Sequence, residues 1–173
     1  MKLNLGCGED YKEGYVNVDN NTDYKADKYF NLNIISYPFE DNEFDKVIMN
    51  MILEHLNNPI EVLKEVSRIC VDGAIIEVIV PHATTYSNFG DMQHKHFFTE
   101  KSFNNNLLIE YNLKELELIS HEFIYTNKWK KYIPFKHYIK IFLTGIYDDM
   151  LFKFKVVKTS QSVQKEKENK KNE

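Results

Sequence analysis

The sequence has little of what would build a disulfide scaffold, a membrane span or a nucleic-acid interface. Its 173 residues include only two cysteines, Cys7 and Cys70. That excludes a disulfide framework and fits a reducing compartment. No apolar run is long enough to cross a bilayer. Lys2 leads directly into Leu3-Asn4-Leu5-Gly6, which leaves no room for a signal peptide, so the expected location is the cytoplasm. Basic residues do not dominate: 22 Lys and Arg stand against 26 Asp and Glu, a formal charge of -4. Nucleic acid, which usually needs a basic face, is therefore not an expected partner. There is no internal repeat. What is present is a composition rich in Tyr, Phe, Lys and Asn, typical of a globular protein with a sizeable core.

The informative stretch is Leu3-Asn4-Leu5-Gly6-Cys7-Gly8, a short buried strand ending in a glycine-bracketed turn. A second strand, residues 15–18, follows and ends on Asp19. A strand, a turn that lets a ligand approach the backbone, and an acid closing the next strand is the layout of a nucleoside-cofactor pocket. Further strands are expected over residues 45–51 and 74–80, whose nearly continuous apolar runs suit a mostly parallel sheet. Between them lies a helix with Asn58 as its cap, Pro59 at its first position and Glu61 completing a capping box. Leu63, Val66 and Ile69 supply its buried stripe, and Gly73 is expected to close it. A second helix is expected over residues 100–111, capped by Thr99. A strand then spans residues 115–125, and residues 151–157 alternate apolar residues with lysines as an edge strand does. The expectation is an α/β protein, a Rossmann-like three-layer sandwich with a mostly parallel sheet and an antiparallel closing strand. Residues 1–158 form its domain. The charged tail, residues 159–173, is expected to be disordered.

A dinucleotide turn wants a third glycine where Tyr11 stands, and no Gly-Lys-Ser/Thr follows for a phosphate loop, so NAD, FAD and ATP are disfavoured. What remains resembles the class I S-adenosylmethionine-dependent methyltransferases, and in particular the small type 11 group. The resemblance runs through LNLGCG, GYVNVD, KADKYFNLN, YPFEDNEFDKVIMNMILEHL, IIEVIVP and HKHFFTEKSF, in order over roughly the first two-thirds of the chain. It implies S-adenosyl-L-methionine as cofactor, held around Leu5, Gly6, Cys7 and Gly8. Gly6 and Gly8 would leave room for its methionine part, and Asp19 would accept from both ribose hydroxyls. Asn31 and Leu32 would meet the adenine, with Asn31 standing where the family commonly has an acid. Asn50 and Met51 would lie beside the methionine part or the transferring methyl.

The implied activity is methyl transfer to a small-molecule acceptor, such as a sugar-containing or other biosynthetic intermediate. The cofactor carries the hard chemistry, and the protein aligns the nucleophile and takes its proton where needed. His82, at the carboxyl end of the fifth strand, is the first candidate base and His55 the second. His94 and His96 are weaker candidates. His94-Lys95-His96, with Asp91 and His82, also has metal-ligand spacing, but the resemblance places this segment in a substrate-covering loop and no metal is expected. Residues 9–14 leave little room for a first helix, and no helix precedes the first strand. Substrate recognition is thus expected to lean on residues 83–98, on the aromatic and basic stretch 129–150, or on a partner. That stretch is expected to form one helix packed on the sheet with snorkelling lysines. A substrate lid, a dimer face or weak contact with a membrane surface are the other uses it suggests, and a homodimer or a partner subunit is possible for the protein. The rival expectation is a catalytically inactive cofactor-binding domain that serves as a partner or regulatory subunit.

Overall fold

The computed structural model describes residues 1–139 and 145–158. Phe142 and the charged tail therefore lie outside the described residues. Seven strands form one sheet: β1 (Lys2–Leu5), β2 (Val16–Asp19), β3 (Lys28–Tyr29), β4 (Phe44–Asn50), β5 (Cys70–Pro81), β6 (Leu116–Ile124) and β7 (Asp149–Val156). Their order is β3-β2-β1-β4-β5-β7-β6. Every pairing from β3 to β5 is parallel, and β7 runs antiparallel to both of its neighbours. This is the Rossmann-like α/β architecture with an antiparallel closing strand.

Register and burial explain why the sheet holds. Leu3 and Leu5 align with Val47 and Met49, which align with Ile76 and Val78, which align in turn with Phe154 and Phe152. All eight are fully buried. They join one core with Leu63, Val66 and Ile69 of helix α1 (Pro59–Ile69). Two further helices are α2 (Tyr86–Gly90) and α3 (Asn105–Glu110), the latter adding Leu108 to that core. The alternate positions Ile48, Glu77 and Lys153 face the other way and are half-buried. There Glu77 Oε2 lies 2.9 Å from Lys46 Nζ, and Glu77 Oε1 lies 3.8 Å from Lys153 Nζ.

Helix α1 starts as expected. Asn58 Oδ1 accepts from the Glu61 amide at 3.3 Å, and Pro59 occupies the first turn. Replacing Asn58 with Ala should cost about 1 kcal/mol, the usual worth of such a cap, read as a lowered midpoint in urea unfolding.

Three expectations about these elements need correction. Gly73 does not close α1, because the chain passes straight from Ile69 into β5 at Cys70. Gly73 does adopt φ +79°, but within the irregular start of β5, where pairing jumps from Phe44–Cys70 to Lys46–Ile75. Thr99 caps no helix. Its Oγ1 accepts from the Lys101 amide in a turn, and α3 begins later, with Asn104 Oδ1 accepting from the Leu107 amide at 3.0 Å. Strand β7 is not an edge but lies between β5 and β6. Its lysines mark the solvent-facing side of the sheet, which alternates just as an edge does.

The stretch from Trp129 contains the expected helix, but its described aromatic residues before Tyr147 do not pack on the sheet. It contains a 3-10 turn, Lys128–Tyr132, and a short helix, Lys136–Ile139. Trp129, Tyr132, Phe135 and Tyr138 are exposed, whereas Tyr147 is buried. No described helix is long and apolar enough to cross a membrane.

Candidate active site

The site begins where β1 ends. Gly6 turns the chain at φ +68°, a conformation glycine adopts at little cost. A Cβ on Gly6 would lie 2.5 Å from Ile52 Cγ1, so the turn and the segment after β4 touch backbone to side chain. The amides of Gly6 and Cys7 both donate to Val18 O, at 2.8 and 3.0 Å. Gly8 has φ +47°, and nothing lies within 4 Å of where its Cβ would be. Asp19, at the end of β2, closes the pocket. Its Oδ2 accepts from the Gly8 amide at 2.8 Å and its Oδ1 from the Asn21 amide at 2.9 Å.

No helix joins β1 to β2. Side-chain amides brace the short connection in its place. Asn4 Nδ2 donates to Asp10 O at 2.8 Å and to Asn17 Oδ1 at 3.0 Å, and Asn17 Oδ1 also accepts from the Lys12 amide. Asp27 Oδ2 accepts from the Asn17 amide at 2.7 Å, and Asp27 Oδ1 accepts from the Tyr11 hydroxyl at 3.0 Å. Tyr11, which stands where a dinucleotide turn needs glycine, is thus part of the bracing.

A cavity of about 450 Å³ opens at the carboxyl ends of β1, β2 and β4. The strand order reverses direction there, between β1 and β4, which is where open α/β sheets bind ligands. Its volume falls within the range of about 300–1,000 Å³ usual for small-molecule sites. Of the expected residues, Gly6, Gly8, Asp19, Asn31, Leu32, Met51 and His55 line it. Leu5, Cys7 and Asn50 do not. Leu5 and Cys7 are buried behind the wall, with Cys7 Sγ 3.7 Å from Lys25 O. Asn20, Tyr24, Asn33, Ile52, Leu56 and Gln93 also line the cavity and were not anticipated. Asn20 and Ile52 each adjoin an expected residue, a signal available in the sequence; Gln93 arrives from a distant loop.

Asn31 is less free than its sequence position implies. Its Oδ1 accepts from the Asn33 amide at 2.9 Å and from Asn33 Nδ2 at 3.2 Å. Asn33 Oδ1 in turn accepts from the Asn57 amide at 2.7 Å, which ties this wall to the start of α1. Met51 holds φ +53°, unusual for a side chain of its size, while its amide donates to Ile79 O.

The candidate bases separate. His82 does not reach the cavity: it is 2 % exposed, with Nδ1 2.8 Å from Thr84 Oγ1 and Nε2 3.5 Å from Glu100 Oε2. Its ring also packs on Tyr147. Position at the end of β5 does not expose it, because the bridge between His82 and Phe98 covers that end. His55 does line the cavity, and burial holds its pKa below the ordinary histidine value, helped by neighbouring His94. Beside it, burial pushes the carboxyl of Glu54 up to about 7. The rings of His94 and His96 do not converge. His94 Nδ1 bonds Asn88 Oδ1 at 2.8 Å, and His96 Nε2 bonds Leu56 O at 2.9 Å. The set His82, Asp91, His94 and His96 is therefore not assembled as one cluster. Glu54, His55 and His94 are brought together instead.

Sheet order, glycine turn, terminal acid of β2 and switch-point cavity are those of a Rossmann-like α/β methyltransferase fold. Comparison with known proteins narrows this. Residues 3–78 match the type 11 family model, described as a methyltransferase domain. No curated protein matches the chain. Among solved structures, a SAM-dependent methyltransferase from Archaeoglobus fulgidus is similar at TM-score 0.64 and 18% identity, over 89% of this chain and 85% of that one. A chain from the complex of the Haloferax volcanii Trm112 methyltransferase activator with a methyltransferase gives TM-score 0.63 at 12% identity, over 91% and 82%. The 4+2 cyclase SpnF gives 0.61 at 14%, over 91% and 75%.

Proposed function

We propose that this protein binds S-adenosyl-L-methionine in the switch-point cavity and transfers its methyl group to a small-molecule acceptor. The observation that carries this reading is the fit between cavity and cofactor. Gly8 leaves open space where any side chain would intrude, and Asp19 presents two carboxylate oxygens that each have a lone pair beyond their backbone bond. When bound, the cofactor supplies an already activated methyl. The chain's own residues bind and orient. Gly6 and Gly8 offer bare backbone to the methionine part, Asp19 accepts from the ribose hydroxyls, and Asn31 and Leu32 flank the adenine. Leu5, Cys7 and Asn50 shape the wall from behind. Met51 and His55 stand at the acceptor end, and His55 takes the contacting role that the burial of His82 denies to that residue.

The fold alone does not fix the reaction, since a cyclase shares it. A cofactor-bound structure separates an enzyme from an inactive binding domain: an open pocket beside the methyl favours the first, one filled by the protein's own side chains the second. The assembly of one structural neighbour with an activator makes a partner subunit the first addition to try if turnover is low. The test is calorimetric titration with S-adenosylmethionine and S-adenosylhomocysteine. Saturable binding of one molecule per chain is expected; the absence of heat with both compounds would remove the cofactor assignment.

A further inference from the structure

Glu54 is fully buried, and neither of its carboxylate oxygens has a hydrogen-bond partner. A carboxylate in that position is costly, and buried ones are normally paired or bound to a metal. His55 Nε2 stands 4.0 Å from Glu54 Oε1, and His55 Nδ1 is itself buried without a partner. The His55 and His94 rings meet edge to face at 4.7 Å between centroids. One ligand atom from each of Glu54, His55 and His94 lies within 4.8 Å of the others.

We propose that Glu54, His55 and His94 form a binding site for one divalent transition-metal ion at the acceptor end of the cavity. Two imidazoles and a carboxylate suit borderline ions such as Zn²⁺, Co²⁺, Fe²⁺ or Mn²⁺, and they suit Mg²⁺ or Ca²⁺ poorly because those prefer oxygen alone. Around an ion with bonds of about 2.0–2.1 Å, tetrahedral ligand atoms sit roughly 3.3 Å apart, so the three side chains draw inward on binding. The supporting contacts are already in place. His94 Nδ1 donates to Asn88 Oδ1 at 2.8 Å, which leaves Nε2 with its lone pair. Asp91 Oδ2, 3.7 Å from that Nε2, offers a further oxygen. The amides of Lys95 and His96 both donate to Glu54 O, so the loop bearing His94 is fastened to the 3-10 turn Leu53–His55.

Of the three residues His55 lines the cavity, beside Gln93, so an ion held by them would be reached from the cavity on the His55 side. Resting on the methyltransferase reading, this assigns the acceptor a class: a molecule with an oxygen donor, a hydroxyl, phenol or carboxylate, beside the atom to be methylated. The ion site itself does not require that reading, and its test does not involve the cofactor.

Protein made without a histidine tag, stripped with a chelator, is titrated with Zn²⁺, Co²⁺, Mn²⁺ and Mg²⁺ by calorimetry, and Co²⁺ binding is followed by visible absorption. One ion per chain is expected, with Zn²⁺ and Co²⁺ far tighter than Mg²⁺. Glu54→Gln and His94→Ala should abolish the Co²⁺ bands, and Asn88→Ala should weaken binding by about 10- to 100-fold, as loss of a ligand's supporting bond does. Circular dichroism identifies any variant that fails to fold; the stoichiometry of the wild type and the remaining variants then decide. No stoichiometric ion in the wild type, or Co²⁺ bands that survive in folded Glu54→Gln and His94→Ala, would overturn the site. Cofactor titration of the stripped protein is scored separately, so either reading can fail alone.

Discussion

Asp19→Ala should abolish measurable binding of S-adenosylhomocysteine while the chain stays folded. The carboxylate is 9 % exposed at the end of β2, and each oxygen is aimed by one backbone amide, from Gly8 or Asn21. Ribose hydroxyls would add one bond to each oxygen. Hydrogen bonds to a charged group are worth about 1.5–3 kcal/mol each, so losing two costs about 3–6 kcal/mol. That is a drop in affinity of roughly 100- to 10,000-fold. Asp19→Asn is the sharper control. An amide keeps one acceptor but turns its NH₂ toward an amide donor, either Gly8 or Asn21, so it too should bind poorly. Calorimetry gives the affinities, and thermal melting separates loss of a ligand from loss of the turn. Retention of wild-type affinity by a folded Asp19→Ala would remove Asp19 from the ribose site.

Gly6→Ala should be the most damaging small substitution in the turn. A left-handed φ of +68° costs a residue with a Cβ about 1–2 kcal/mol. The new methyl would also stand 2.5 Å from Ile52 Cγ1, and forcing a packed contact of this kind costs about 1–3 kcal/mol. The sum, about 2–5 kcal/mol, is a large part of the 5–15 kcal/mol that usually holds a domain together. The expected readout is a melting temperature lower by roughly 4–20 °C. Adding Ile52→Ala should recover the part of the steric cost that Cγ1 and Cδ1 impose, while the contact with Ile52 Cβ at 2.9 Å and the backbone part remain, so the double variant should be less destabilised than the two single losses predict together. Additive losses would show that Ile52 is not what excludes the methyl. Gly8→Ala meets no neighbour and should melt closer to wild type, yet its methyl would project into the cavity and weaken cofactor binding.

The cofactor half of the site was legible in the sequence because its signals are local. Gly6, Gly8 and Asp19 each stand at a strand end, and a strand end at the carboxyl side of a parallel sheet faces the switch point. Asn58 and Pro59 were legible for the same reason, since a cap is decided within four residues. What depended on distant partners was not. His82 reads as a rim residue until Thr84, Glu100 and Phe98 are seen closing over it. His94 and His96 suggest one cluster by spacing, yet Asn88 and Leu56 draw the rings apart, and Glu54, which in the sequence reads as a capping acid at least as readily as a site residue, becomes the residue with unmet bonds. Lys153 and Lys155 gave the right alternation and the wrong neighbour count, because period two reports a wet face and says nothing about which strand lies alongside.

The place of β7 between β5 and β6 also sets a schedule. It is made after both of its neighbours, so until the ribosome has added it the edge of β5 has no partner and β6 has nothing to pair with. Phe152 and Phe154, which complete the aromatic end of the core against Phe103, arrive with it. The strands that carry the glycine turn and Asp19 can pair early, but the sheet that steadies them is not closed until β7 is translated, leaving an open edge exposed to other chains until then.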